Sequence, residues 1–136
     1  MNKVEHIGIA VKNLTVSIPL FTKIFNTDCY KTEEVESEKV RTAFFRNGGT
    51  KVELLESLEP DGVIARFIEK KGEGMHHIAF EVENIEKEMA RLLQEGFIFI
   101  NERAKKGADN KLVCFLHPKE TNGVLIELCQ EIKGRE

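Results

Sequence analysis

An internal repeat constrains this chain more than any other feature. Val4 to Leu14 (VEHIGIAVKNL) can be laid over Met75 to Ile85 (MHHIAFEVENI), where His6, Ile7, Val11 and Asn13 meet His77, Ile78, Val82 and Asn84 as identities. Gly49 to Leu54 (GTKVEL) lies over Gly123 to Leu128 (GVLIEL) in the same way, pairing Glu53 with Glu127. A sequence that repeats itself over such a span uses one supersecondary unit twice. Each copy carries an apolar strand, an Asn at a helix start, an amphipathic helix, then short strands separated by turn residues. The reading is an α+β chain of two tandem βαβββ modules in a single domain. The first runs over about 1–58 and the second over about 74–134, with a linker helix inside about 59–73.

In the second copy Asn84 is a good N-cap. Ile85, Met89, Leu92 and Leu93 fall on one helical face, and Gly96 supplies a left-handed stop. In the first copy Asn13 would cap a helix with Pro19 in its interior, where a lost hydrogen bond and a ring clash cost about 3 kcal/mol. A start near Ser17, with Pro19 in the first turn, removes that conflict. Strands are expected over 28–33, 40–46 and 51–55, then over 97–101, 112–116 and 124–129. Between the modules a short helix from Val63 to Lys70 is bounded by Pro60-Asp61-Gly62 and Gly72-Glu73-Gly74.

A chain of 136 residues can bury a core without metal or disulfide support, removing roughly 68% of its unfolded surface from water. The 41% hydrophobic and 32% charged fractions exclude a disordered or collagen-like chain. No stretch approaches the ~18 apolar residues of a membrane span, and the first residues lack a secretory apolar core. A soluble, cytoplasmic protein is expected. The net charge of −3 is mixed along the chain, giving no footprint for nucleic acid or an anionic membrane. The expected partner is a small molecule. Cys29, Cys114 and Cys129 are odd in number and widely spaced, so they build neither a disulfide framework nor a zinc ribbon.

Side chains alternate along a strand, so His6, Gly8 and Ala10 share one face while Ile7, Ile9 and Val11 share the other. His77 and Ala79 repeat that division against Ile78, Phe80 and Val82. The bulky row suits packing under the helix, and the histidine row, flanked by small residues, leaves space for a cleft. Glu53 and Glu127 sit in strands that otherwise read as core, where a carboxylate needs a cation, a strong donor or water beside it. A strand histidine alone is ordinarily a satisfied polar residue, and a strand carboxylate can be an exposed edge acid. Two of each at repeat-equivalent places point to one shared divalent ion. An N2O2 set of His6, Glu53, His77 and Glu127 suits Co, Mn, Ni, Fe or Zn.

The phrases VEHIGIAV, TKVELLE, PDGVIARFIEKKGEG, GMHHIAFEV and FLHPKETNGVLIEL resemble the methylmalonyl-CoA epimerases of the vicinal oxygen chelate superfamily, over nearly the whole chain. The resemblance implies paired βαβββ modules forming a curved mixed sheet around a metal-binding cleft. It carries His6, His77 and Glu127 over as metal ligands, and Glu53 as the fourth, where some relatives have Gln. It also implies an acyl-CoA substrate and a homodimer. Two departures stand out. Gly107-Ala108-Asp109-Asn110 replaces a Gly-Ala-His-Gly loop, and Thr42 replaces an acid found in some relatives on the third strand, leaving Glu36 and Glu38 in the loop before it.

Such an epimerase takes a proton from the carbon between a carboxylate and a thioester and returns one on the opposite face. Glu127 is the first candidate for this catalytic role and Glu53 the second, each doubling as a ligand. Glyoxalase I stabilises a related enediolate, and a non-catalytic binding module of the same fold is the third reading. An iron dioxygenase is disfavoured by the apparent fourth ligand, Glu53. Among other residues, His76 points away from the histidine row and His117 before Pro118 shapes a turn. Lys105, Lys106, Lys111 and Lys119 read as surface lysines that could also meet coenzyme A phosphates, and Cys129 reads as a buried hydrophobe.

Overall fold

The structure, a computed structural model, describes residues 1–133, so the expected module end at 134 lies outside the described residues. The chain divides into two compact units, one formed by residues 6–76 and the other by Met1–Glu5 together with residues 77–133. The first strand, β1 (Lys3–Ala10), therefore gives its opening residues to one unit and its remainder to the other.

In the unit of residues 6–76, β1 is followed by α1 (Leu14–Phe25), β2 (Lys31–Val35), β3 (Val40–Asn47), β4 (Thr50–Ser57) and α2 (Val63–Lys71). β2, β3 and β4 form an antiparallel meander, and β1 adds to β4 in parallel. One face of this sheet packs on α1, where Leu14, Ile18, Phe21 and Phe25 meet Val11, Ala43, Phe45 and Leu54. Helix α1 starts at Leu14, not near Ser17, with the Asn13 side chain accepting from the Thr15 N–H at 2.8 Å. Pro19 thus lies inside the helix. Both Pro19 and Thr15, whose carbonyl the proline leaves without its helical donor, are exposed, so water can take the place of the lost bond while the buried face holds the first turn in register.

The other unit continues with β5 (Gly74–Glu81), α3 (Ile85–Gln94), β6 (Lys105–Lys106), β7 (Lys111–Phe115) and β8 (Ile126–Glu131). β5 and β8 run parallel, while β8, β7 and β6 are antiparallel neighbours. The Asn2 N–H donates to the Glu81 carbonyl at 2.8 Å, tying the chain start into this unit. Both halves thus have the βαβββ order expected from the repeat. The expected strand over 97–101 does not form. Phe97 and Phe99 pack on the core, but the backbone meets the end of β7 through a single bridge, Phe99 to Leu116, and the two-residue β6 takes the edge position.

In α3 the Asn84 side chain accepts from the Lys87 N–H at 3.0 Å, and Gly96 takes a φ of 97°, as the cap and stop signals require. Ile85, Met89 and Leu92 are buried against Val82, Cys114, Leu116 and Leu128. Leu93 instead faces solvent, because its place one residue past Leu92 rotates it off the buried stripe. Among the described residues no helix is long and apolar enough to cross a membrane. Leu92→Ala should therefore cost about 2–5 kcal/mol of unfolding free energy and Leu93→Ala under about 0.5, as measured by urea denaturation.

Candidate metal and catalytic site

In the unit of residues 6–76, the parallel register of β1 on β4 sets Gly8 opposite Glu53 and His6 opposite Lys51. The antiparallel register of β3 on β4 sets Phe44 on the other side of Glu53. Directly paired residues project to the same face, so His6, Gly8, Glu53 and Phe44 share the face turned away from α1. His6 Nδ1 lies 3.2 Å from Glu53 Oε2. Gly8, without a side chain, leaves the carboxylate free to lean toward the imidazole.

The other unit repeats the arrangement. Ala79 stands opposite Glu127 across the parallel β5–β8 pair, and Phe115 stands opposite it on β7. His77 Nε2 lies 3.1 Å from Glu127 Oε1, and the His77 ring meets Phe115 edge-on at 5.9 Å between centroids. All four polar side chains are only 3–7% exposed. Glu53 and Glu127 are therefore not exposed edge acids, and each buried carboxylate has an imidazole beside it.

The spacing suits a metal. Two donors each about 2.1 Å from one cation and about 90–109° apart lie about 3.0–3.4 Å from each other, which brackets both pairs. Nitrogen and carboxylate donors match the borderline cations expected from the sequence.

Other residues resolve as follows. His76 packs edge-on against Phe67 at 4.8 Å, and His117 Nδ1 accepts from the Lys119 N–H at 3.2 Å in the turn before Val124. Cys129 is fully buried with Ala79 and Val113. Cys114 is also fully buried, and burial first, then the charge of Glu127, pushes its thiol up to about 12. Glu36 lies in the exposed turn after β2, 4.0 Å from Lys39.

Lys111 departs from the expected solvated lysine. It is buried, with Nζ 3.8 Å from the equally buried Glu5. Strict alternation groups Glu5 with Ile7 and Ile9, so no local signal marks this pair.

The chain belongs to the Glyoxalase/Bleomycin resistance protein/Dioxygenase superfamily, whose pattern it matches over residues 5–115. Its relatives narrow that class. It is 37% identical over 131 residues to human mitochondrial methylmalonyl-CoA epimerase, covering 96% of this chain and 74% of that protein. It is 38% identical over 130 residues to the uncharacterized protein YqjC of Bacillus subtilis, covering 96% and 93%. A Streptomyces coelicolor methylmalonyl-CoA epimerase variant, solved with 2-nitronate-propionyl-CoA, superposes with a TM-score of 0.90 at 28% identity, covering 98% of this chain and 99% of that one.

Two outcomes follow from the buried groups. Lys111→Met should lower stability by about 3 kcal/mol by leaving Glu5 without that cation, and Glu5→Leu/Lys111→Met should recover most of the loss in denaturant titrations. The raised Cys114 pKa means the folded chain holds that proton more tightly than the unfolded one. Its contribution is full below the ordinary value near 9 and is lost as pH climbs toward 12. Iodoacetamide at pH 8 should accordingly label half-buried Cys29 and leave Cys114 unmodified in the native protein, as read by peptide mass spectrometry.

Proposed function

We propose that this protein is a metal-dependent epimerase that interconverts (R)- and (S)-methylmalonyl-CoA in the cytoplasm as a homodimer. The observation that carries the reading is the duplicated pair, a buried imidazole against a buried carboxylate once in each unit. The named epimerase relatives and the acyl-CoA analogue held by the Streptomyces enzyme support it.

His6, Glu53, His77 and Glu127 would hold the cation, one of Co, Mn, Ni, Fe or Zn. Two neutral imidazoles, two carboxylates and a divalent ion sum to zero charge. When bound, the cation supplies Lewis-acid stabilisation for the negative charge that grows on the carboxylate and thioester oxygens of the substrate.

The remaining chemistry falls to the chain's own carboxylates. Epimerisation requires one group to take the C2 proton and another to return a proton from the opposite side, each within hydrogen-bond reach. Glu127 is the first proton carrier and Glu53 the second. A carboxylate has two oxygens, so one can remain a ligand while the other accepts or donates a proton. The His6 imidazole meets Oε2 of Glu53 and the His77 imidazole meets Oε1 of Glu127, which distinguishes the two oxygens of each acid.

The test is exchange of the C2 hydrogen of methylmalonyl-CoA with solvent deuterium by cobalt-reconstituted protein, followed by mass spectrometry. Glu127→Gln should slow exchange about 100-fold or more while the protein stays folded, and His77→Ala should weaken the visible absorption change on cobalt titration. Absence of exchange with a fully metallated protein overturns the reading. Formation of S-lactoylglutathione from the glutathione hemithioacetal in a parallel assay would assign glyoxalase I instead. Sedimentation at micromolar concentration reads the dimer.

A further inference from the structure

We infer that the Thr42 hydroxyl is a substrate-binding group, donating a hydrogen bond to a carboxylate or thioester oxygen of a malonyl-type thioester. The inference rests on the epimerase reading for the substrate class and goes beyond it in naming the residue. Thr42 is fully buried, and its Oγ1 makes no hydrogen bond among the described residues. A buried hydroxyl without a partner is costly, and where one persists it ordinarily has a ligand or an ordered water to satisfy it.

The register puts this hydroxyl beside the chemistry. Thr42 pairs with Leu55 across β3 and β4, and Phe44 pairs with Glu53 one pleat further along. Thr42 therefore projects from the same face as His6 and Glu53 and is the diagonal neighbour of Glu53, a placement that separates such residues by about 7–8 Å. A group bound against Glu53 can span that distance with its second oxygen.

The duplicated half supplies an internal control. Val113 pairs with Cys129 on β7 and β8, with Phe115 opposite Glu127 one pleat on, so Val113 holds the place that Thr42 holds in the first half. Val113 is buried in a cluster with Ala79 and Cys129. Thr and Val have nearly the same shape. The fold thus accepts a plain hydrophobe at this position, and packing does not account for the hydroxyl at Thr42.

Thr42→Val removes the hydroxyl and keeps the volume. Calorimetry with malonyl-CoA, which lacks the methyl branch, should give a dissociation constant raised about tenfold or more by Thr42→Val and nearly unchanged by Thr42→Ser. The melting temperature of Thr42→Val should stay level or rise. Equal affinity for wild type and Thr42→Val overturns the inference, as does a weakened affinity accompanied by a lowered melting temperature, which would make the hydroxyl structural. A wild type that binds no malonyl-CoA overturns it too. Wild type that binds malonyl-CoA but exchanges no deuterium would sink the epimerase reading and leave the Thr42 contact standing. Deuterium exchange together with unchanged binding by Thr42→Val would do the reverse.

Discussion

A carboxylate buried beside an imidazole is the contact on which the rest of this structure depends. Taking one carboxylate out of water costs several kcal/mol unless a partner compensates it, and the chain does this twice. Strands arranged to bury two acids only a few per cent exposed cannot be a neutral outcome of core packing. The arrangement imposes a register. In both halves a strand opening the module runs parallel to the strand that carries the acid, with a residue of minimal side chain, Gly8 or Ala79, directly opposite Glu53 or Glu127. Larger residues there would occupy the space into which the carboxylate leans. The small residues of the histidine row and the acids of the last strand are thus two expressions of one requirement.

Much of this was legible in the sequence because it is periodic or repeated. The identity of His6 with His77 and of Glu53 with Glu127 survives in a single chain, and strand alternation assigns their faces without any three-dimensional information. Capping works at the same local level, as Asn84 and Gly96 demonstrate. The cases that failed depend on what lies beyond a local window. Pro19 is tolerated inside α1 because the helix has a buried stripe to hold it. Phe97 and Phe99 read as an alternating strand, but core contacts fix their side chains while only one bridge fixes their backbone. Leu93 fits the apolar pattern and still faces solvent, since the stripe is narrower than the pattern allows.

The groups that sequence missed altogether are polar and non-local. Glu5 and Lys111 are more than a hundred positions apart, and each looks like an ordinary surface charge until both are found buried together. The pair lies at the point where the chain leaves one unit, Met1–Glu5, and enters the other at His6. An ion pair at that junction fixes the residue next to a proposed ligand, though the sequence around it carries no motif.

Duplication followed by divergence explains where the two halves agree and where they part. The row that would hold a cation is nearly the same in both, with Gly8, Glu53 and Phe44 matching Ala79, Glu127 and Phe115. The next row differs throughout. Leu55, Thr42 and Glu33 in one half stand where Cys129, Val113 and Lys105 stand in the other. An ion has no ends, so a site that holds one gains from symmetry. A thioester acid has two chemically different ends and a chiral centre between them, and no symmetric pocket can orient it. Under the proposed function, selection would preserve the ligand row in both copies and break the equivalence one pleat away, and that is the pattern of the two halves. The two rings are also oriented differently, since His6 meets Glu53 through Nδ1 and His77 meets Glu127 through Nε2, with Phe115 edge-on against His77.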